Sequence, residues 1–549
     1  MDDQPTRQET SATEDTGIEP IPAPEGETTL IETDYTVGQD NIEFKVGPFG
    51  LDVHNPVFLV SGLAIVAFVI LTLAFQNAVE PLFADLRDWL TAAFDWFFLG
   101  AANVFVILCL VLVVTPLGRV RLGGRDATPD YSYVGWFAML FAAGMGIGLM
   151  FYGVSEPISH YTTAIGGTTA EAGVRTDWAP LGAAAGDQAE AIRLGMAATI
   201  FHWALHPWAI YAIVALALAL FSYNKGLPLT IRSIFYPVFG ERVWGPIGHV
   251  IDVLAVLATL FGLATSLGFG AEQANAGLAF LFGLPNNDIS KVVLILAITG
   301  VALVSVVAGL DAGVKRLSEI NMVLAALLLG FVILVGPTTL ILTGFFQNLW
   351  AYAEYLPALS NPIGREDDNF RQGWTAFYWA WWISWSPFVG MFIARVSRGR
   401  TVREFITCVL LIPSLVSVLW MTAFGGTAID QIVTQGVTTV QDAPLELKLF
   451  EMLAGLPWTA ITSFVGIMLV IVFFVTSSDS GSLVIDTITA GARSTRRCRS
   501  ASSGRCSRAS SPSRCCWAAA SRRCRPWRCP PASRSRSCCC SAATPSCAG

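Results

Sequence analysis

The stretch Val57–Phe75, VFLVSGLAIVAFVILTLAF, contains nineteen consecutive residues without a charge. A helix of about 20 such residues spans the hydrocarbon core of a bilayer, which is roughly 30 Å thick. Comparable apolar stretches recur along the chain, and we count ten of them: 57–78, 95–115, 133–155, 192–222, 246–282, 291–308, 320–346, 374–394, 404–425 and 459–490. The sequence therefore predicts an all-α, polytopic membrane protein.

The composition supports this fold class, because 53% of the 549 residues are hydrophobic and only 14% are charged. Residues 1–44 differ from the rest, since they are rich in Asp, Glu, Thr and Pro and have no apolar core. Such a composition favours a disordered acidic tail over a signal peptide. The stretch Asn348–Leu359, with its aromatic residues and Glu354, predicts a helix lying on the membrane surface.

The loop charges predict the orientation of the chain in the membrane. Twelve Lys and Arg residues lie in the loops on the side of the amino terminus, and seven lie in the loops on the other side. Lys and Arg accumulate in cytoplasmic loops. We therefore expect a cytoplasmic amino terminus and a location in the inner membrane.

The last part of the chain, residues 493–549, carries thirteen Arg, no acidic residue and ten of the twelve cysteines. Abundant cysteine is unusual in a cytoplasmic tail, so we interpret this segment as a frameshift product. The alternative is a genuine basic tail that binds anionic lipid. The remainder of the chain is acidic, which argues against nucleic acid as a partner; membrane lipid is the expected surrounding.

Three alternating glycines, Gly144, Gly146 and Gly148, lie inside the third apolar segment. Each glycine weakens a helix by about 1 kcal/mol relative to alanine. Two explanations stay open. The glycines allow close helix packing, or they break the helix and expose backbone carbonyls to an ion.

Aromatic residues cluster in two further segments. Trp203, Trp208 and Tyr211 lie within about two helical turns. The stretch Tyr378–Phe388 contains four tryptophans within seven residues, namely Trp379, Trp381, Trp382 and Trp385. An aromatic belt at the membrane interface is the ordinary explanation. A ring of such faces instead attracts a quaternary ammonium group, and the density of tryptophan favours this second interpretation.

The tenth segment contains Thr476, Ser477 and Asp479 in close succession. Their hydroxyls could ligate a hard cation such as sodium, although Ser and Thr often bond to their own helix instead. A carboxylate inside a membrane segment is costly and marks a candidate functional residue, unless Asp479 braces the helix.

The sequence contains neither an HExxH zinc motif nor a Walker motif, so it predicts neither a metalloenzyme nor an ATP-driven pump. His202 and His206 are spaced i, i+4. We interpret them as packing or hydrogen-bonding residues in preference to a proton relay.

Four motifs together resemble the betaine–choline–carnitine transporter family over residues 45–492: GMGIG at 144–148, HWALHPWAIY at 202–211, YWAWWISWSPFVGMF at 378–392 and TSSDSGS at 476–482. The resemblance implies a fold of twelve helices, in which helices three to seven and eight to twelve form inverted repeats of the leucine-transporter type. About ten of these helices are present here, and residues 493–549 stand where the last two would be. Many members are trimers, so a homotrimer is one implied assembly.

The resemblance also implies roles for matching residues. Trp203, Trp208, Tyr211 and Trp382 would form an aromatic box around a trimethylammonium group, with Trp381 and Trp385 beside it and Gly144, Gly146 and Gly148 lining the site. The carbonyls of Ala142 and Met145, with Phe473, Thr476 and Ser477, would bind one sodium ion. Thr259 and Phe388 match a second sodium site of the family, but Leu263 stands where that site has another threonine.

The resemblance implies sodium-driven uptake of glycine betaine or a related trimethylammonium osmolyte, with sodium as the co-transported ion and no organic cofactor. Choline carriers of the family tend to have Asp where this chain has Gly148, which favours a zwitterion over a cation. The alternatives are a carrier of choline, carnitine, ectoine or a sulfonium osmolyte, an inactive truncated product, a membrane enzyme or a channel.

Overall fold

The computed structural model describes residues 23–26, 28–46, 49–144, 146–308 and 314–491. The predictions for residues 1–22, for Met145 and for the tail 493–549 lie outside these residues. Strands in the described part form two pairs, β1 (Asn41–Val46) with β2 (Phe49–His54), and β3 (Ala170–Glu171) with β4 (Val174–Arg175).

Helices make up nearly all of the remaining regular structure. In chain order they are α1 (Asn55–Ala74), α2 (Gln76–Val114), α3 (Tyr133–Gly144), α4 (Ile147–Gly166), α5 (Gln188–Trp203), α6 (Leu205–Ala219), α7 (Tyr236–Phe239), α8 (Pro246–Phe282), α9 (Asp288–Ala308), α10 (Val314–Val335), α11 (Thr338–Leu359), α12 (Asp368–Phe370), α13 (Phe377–Val396), α14 (Val402–Val433), α15 (Thr439–Asp442), α16 (Lys448–Ala454) and α17 (Thr459–Thr489). Short 3₁₀ helices occupy Pro116–Arg119, Ile231–Phe235 and Gly240–Trp244, and π-helical turns occupy Leu220–Asn224 and Arg371–Ala376.

Within the described residues, eight helical spans are long and apolar enough to cross a membrane when α5 and α6 are counted as one span (Gln188–Asn224), or nine if α3 and α4 also form one bent span. This confirms the prediction of an all-α, polytopic membrane protein. The predicted segment 374–394 forms α13, which is not among these helices. Its tryptophans, serines and proline lower its hydropathy, although it packs against α6 and α8 inside the bundle.

Some of the predicted segment boundaries are wrong. The predicted loop 78–95 is helical, because α2 runs without interruption over 39 residues. The predicted segment 320–346 is interrupted at Gly336 and Pro337, where α10 ends and α11 begins. Proline lacks the N–H that would continue the helix. The stretch Asn348–Leu359 is helical as predicted and forms the second half of α11, which packs along α5 and α14; its position at a membrane surface stays a prediction.

The helices that carry the predicted site are interrupted or kinked near their centres. Helices α3 and α4 meet at 64°. Helix α5 ends at Trp203, and Pro207 in the first turn of α6 cannot donate to the Trp203 carbonyl. Pro387 in α13 has no N–H to donate to the Ile383 carbonyl. The Ser386 hydroxyl donates to this carbonyl instead, at 2.8 Å, so the helix continues through the proline.

The described part of the acidic segment packs against the helices, which its composition does not predict. Tyr35 stacks on Trp244 with ring centroids 4.5 Å apart. Ile31 packs beside Tyr35 in the same apolar cluster, and the Glu25 carboxylate pairs with Arg398 at 2.7 Å. These few apolar residues and one ion pair hold the segment against the helices, although its acidic composition alone indicates disorder.

The contact between α4 and α14 gives a test of this packing. A Cβ at Gly425 would lie 2.3 Å from Cγ of Pro157, whereas a Cβ at the adjacent Gly426 would lie 3.6 Å from Leu340. Since a proline ring cannot move aside, we expect Gly425→Ala to destabilise the protein by about 1–3 kcal/mol. The matched change Gly426→Ala should be neutral or stabilising by up to about 1 kcal/mol. Thermal unfolding of both purified variants in detergent measures the difference, and equal midpoints would contradict the packing described.

Candidate functional site

A cavity of about 210 Å³ lies where the break between α3 and α4, the start of α6, the middle of α13 and the second half of α17 meet. Most of the predicted site residues line it: Ala142, Gly146, Gly148, Trp203, Trp208, Tyr211, Trp381, Trp382, Trp385, Phe388, Phe473, Thr476 and Ser477. Every side chain among the described lining residues is uncharged. Residues far apart in the sequence therefore share one neutral cavity.

Gly144 is the last residue of α3, beside the break between α3 and α4. One described candidate lies elsewhere. Thr259 is buried on α8, and its hydroxyl donates to the Ala255 carbonyl at 2.8 Å. Since the structure does not bring Thr259 to the cavity beside Phe388, the second sodium site stays a prediction.

The aromatic rings form a connected wall on one side of the cavity. Trp381 and Trp382 stack with centroids 5.0 Å apart and planes inclined by 10°. Trp203 meets Trp382 edge-on at 5.0 Å, and Tyr211 meets Trp382 at 6.1 Å. Trp208 adjoins Tyr211 at 5.5 Å. Ring faces and edges grouped in this way can hold a cation that has no N–H to donate.

Hydrogen bonds donated by their N–H groups hold three of these indole rings in place. Trp381 donates to the Ser266 hydroxyl at 3.1 Å, and Trp382 donates to the His202 carbonyl at 3.0 Å. Trp203 donates to the Glu156 carboxylate at 2.7 Å. Because a locked ring loses little freedom when a ligand binds, the wall is preorganised.

Gly148 allows the cavity wall to close around the backbone of α4. A Cβ at this position would lie 2.8 Å from Cη2 of Trp203 and 2.9 Å from Cη2 of Trp381. Only glycine fits between the two indoles as they stand. The close approach accounts for this glycine without requiring an unusual backbone conformation.

A buried polar network behind the wall contains residues that the sequence analysis did not single out. Glu156 is fully buried on α4 and contacts His202, Trp203 and Tyr378. A carboxylate inside an apolar membrane helix was the available signal. The interpretation of His202 and His206 as hydrogen-bonding residues is confirmed, since His206 also bonds to Asn103 at 2.9 Å.

Three of the residues proposed for sodium lie on α17 and line the cavity, and Ala142 lines it from α3. Phe473 is buried, while Thr476 and Ser477 are partly exposed toward the cavity. The Thr476 hydroxyl donates to the Val472 carbonyl at 3.0 Å, and Nδ2 of Asn321 lies 3.4 Å from its oxygen. Asp479 is fully buried, and within the described structure neither of its carboxyl oxygens has a hydrogen-bond partner.

A neutral, aromatic cavity at interrupted helices inside a polytopic bundle is typical of the substrate site of a membrane transporter. Comparison with known sequences gives the family. The sequence model of the betaine/carnitine/choline family of transporters matches residues 56–506. The chain therefore belongs to this family, and it is a membrane transporter and not an enzyme.

Three members of the family are similar to this chain over most of its length. A glycine betaine/proline/choline transporter of Vibrio parahaemolyticus is 70% identical over 473 residues, which are 86% of this chain and 86% of the relative. Glycine betaine transporter 1 of the same organism is 53% identical and covers 85% of this chain and 86% of the relative. A glycine betaine transporter of Bacillus subtilis is 44% identical over 78% of this chain and 80% of the relative.

The close approach at Gly148 predicts the effect of one added methyl group. Gly148→Ala should push the Trp203 and Trp381 rings apart and raise the half-saturating substrate concentration for uptake roughly fivefold or more, since a misplaced ring loses an interaction of about 1 kcal/mol or more. Gly268→Ala on α8 is the control, because a Cβ there meets no atom within 4 Å. Unchanged uptake by both variants would show that the two rings do not contact the substrate.

Proposed function

We propose that this transporter is a sodium-coupled symporter that takes up glycine betaine by alternating access across the inner membrane. The observation that carries the proposal is the composition of one cavity. Aromatic rings, hydroxyl groups and an interrupted helix line it together, and the described lining residues include no charged side chain.

The aromatic wall suits a trimethylammonium group. This group is a diffuse cation that donates no hydrogen bond, so it gains more from ring faces than from carbonyl oxygens. Each well-placed ring contributes about 0.5–2 kcal/mol when water is excluded. Trp203, Trp208, Tyr211 and Trp382 are the four rings we assign to this group, with Trp381 and Trp385 beside them.

The neutral lining favours a zwitterion over a net cation. Betaine carries its own carboxylate, whereas choline would enter with an uncompensated charge. The described lining offers no carboxylate, and Gly148 leaves no space for one between Trp203 and Trp381. The names of three similar transporters include glycine betaine. Choline is the second candidate, because the 70% identical relative is named for choline and proline as well.

Sodium coupling rests on oxygen groups in the same cavity. Helix α3 ends at Gly144, and the carbonyls in the last turn of a helix have no partner within that helix. Ala142 of this turn lines the cavity, and Thr476 and Ser477 add hydroxyls from α17. Sodium is a hard cation that prefers such oxygens. Its inward movement supplies about 2.3 kcal/mol per charge for each 100 mV of membrane potential.

The orientation and the domain division belong to the proposal. Glu25 pairs with Arg398 in the Arg-rich connection between α13 and α14, so the amino-terminal segment lies on the side that carries more positive charge. This supports a cytoplasmic amino terminus. We assign transport to residues 45–492, flanked by the acidic segment and by residues 493–549. The homotrimer implied by the resemblance stays a prediction.

Uptake of labelled glycine betaine tests the proposal directly. The full chain is expressed in cells without betaine carriers, and uptake is measured in sodium medium and in potassium medium. We expect saturable uptake in sodium and a loss of at least roughly tenfold in potassium, since the gradient and the potential together exceed 1.4 kcal/mol.

The double variant Thr476→Ala/Ser477→Ala should raise the half-saturating sodium concentration while leaving residual transport at high sodium. The control is Ser478→Ala, because Ser478 is not among the cavity-lining residues. Equal uptake in both media would contradict sodium coupling. Transport of choline but not of betaine would contradict the assigned substrate, and no transport by a correctly inserted chain would identify an inactive product.

A further inference from the structure

Glu156 accepts hydrogen bonds at both of its carboxyl oxygens and is fully buried on α4. Its Oε2 lies 2.7 Å from Nε1 of Trp203 and 2.5 Å from the hydroxyl of Tyr378. Its Oε1 lies 2.5 Å from Nδ1 of His202 and 3.1 Å from Nε2 of His160. Four groups thus fill the four acceptor positions of one carboxylate.

The chemistry of the partners sets the direction of these bonds. An indole N–H can only donate, so Oε2 is an acceptor toward Trp203. The Tyr378 hydroxyl, which lies at the same oxygen, donates as well. The second nitrogen of His202 lies 3.0 Å from the Thr375 hydroxyl, which leaves Nδ1 free to donate to Oε1. The arrangement therefore fits an ionised carboxylate, whose burial would cost several kcal/mol without such donors.

A metal ion explains this cluster less well, although Glu156, His160 and His202 have the ligand types for one. An ion bound at about 2.0 Å by two atoms in a tetrahedral site holds those atoms roughly 3.3 Å apart. Nδ1 of His202 and Oε1 of Glu156 are 2.5 Å apart. This separation is too short for two ligands of one ion and lies nearer to the roughly 2.7–2.9 Å of a charge-assisted hydrogen bond.

We infer that Glu156 is a specificity-determining positioning residue, which acts through the indole of Trp203 to favour ligands with a cationic head group. The inference rests on the proposed function, since it concerns the same cavity. Trp203 lies between Glu156 and the cavity. Its N–H edge points to Glu156, and its six-membered ring reaches the cavity at Gly148.

The effect has two physical parts. An N–H that donates to a carboxylate shifts electron density into the indole, so the face of the ring becomes more negative. A more negative face attracts a cation more strongly. The carboxylate also adds its own negative charge behind the wall, and the low dielectric of the protein interior screens it weakly. Both parts act on a quaternary nitrogen and not on a tert-butyl group of the same shape.

This difference in charge gives the test. The ligands are glycine betaine and 3,3-dimethylbutanoate, in which carbon replaces the quaternary nitrogen. Dissociation constants are measured with the purified full chain, for the analogue by competition with labelled betaine. Glu156→Gln keeps the size of the side chain and removes the charge. We expect its betaine dissociation constant to rise roughly tenfold, while that of the analogue is unchanged or falls.

A double-mutant cycle shows whether the effect passes through Trp203. Trp203→Phe removes the N–H, so adding Glu156→Gln should then weaken betaine binding by less than it does alone, because only the direct effect of the carboxylate charge is left to lose. Trp203→Phe by itself should also lose more affinity for betaine than for the analogue, which keeps the test decisive if Glu156→Gln does not fold. Glu354→Gln is the control for loss of a carboxylate, since Glu354 is on the surface, paired with Arg193.

Equal weakening of both ligands by Glu156→Gln would overturn the inference, because a purely structural residue acts on both alike. An undiminished effect of Glu156→Gln in the Trp203→Phe background would overturn it as well. Failure of the unaltered chain to bind betaine would instead overturn the proposed function on which the inference depends.

Discussion

The hydrogen bonds that converge on Glu156 connect three helices at the centre of the bundle. They join α4 to α5 through His202 and Trp203 and to α13 through Tyr378. Trp382 lies one turn beyond Tyr378 on the same helix, so the network sets the position of rings from both helices. In an apolar interior a partly satisfied network is costly. The aromatic wall therefore depends on these bonds being made together.

Interrupted helices supply the backbone of the same cavity. Lipid offers no hydrogen bonds, so every break in a membrane helix must be satisfied within the protein. Ser386 does this for the carbonyl that Pro387 leaves open in α13. The breaks beside Gly146 and Ala204 lie at the cavity, where an ion or a substrate can use the freed backbone groups. The same feature that weakens the helices thus exposes backbone groups at the cavity.

The sequence predicts the features that depend on neighbouring residues. Long apolar stretches predict the helical bundle, and the dense aromatic motifs predict rings that the fold brings to one cavity. The hydrogen bonds of Glu156 cannot be predicted in this way, because its partners Trp203 and Tyr378 lie 47 and 222 residues away. Thr259 has the residue type that the family's second sodium site uses, yet its hydroxyl bonds to its own helix at Ala255. Helix ends were predicted less well, because turn signals such as Gly336-Pro337 are weak inside an apolar stretch.

An experimental structure of the full chain with glycine betaine and sodium tests the central claim most directly, which is that one neutral cavity holds a trimethylammonium zwitterion beside a co-transported ion. We expect the quaternary nitrogen within about 6 Å of the ring centroids of Trp203, Tyr211 and Trp382. The betaine carboxylate should point away from these rings, and sodium should lie between the α3 break and the hydroxyls of Thr476 and Ser477. Betaine bound with its carboxylate against the indoles, or bound outside this cavity, would contradict the account.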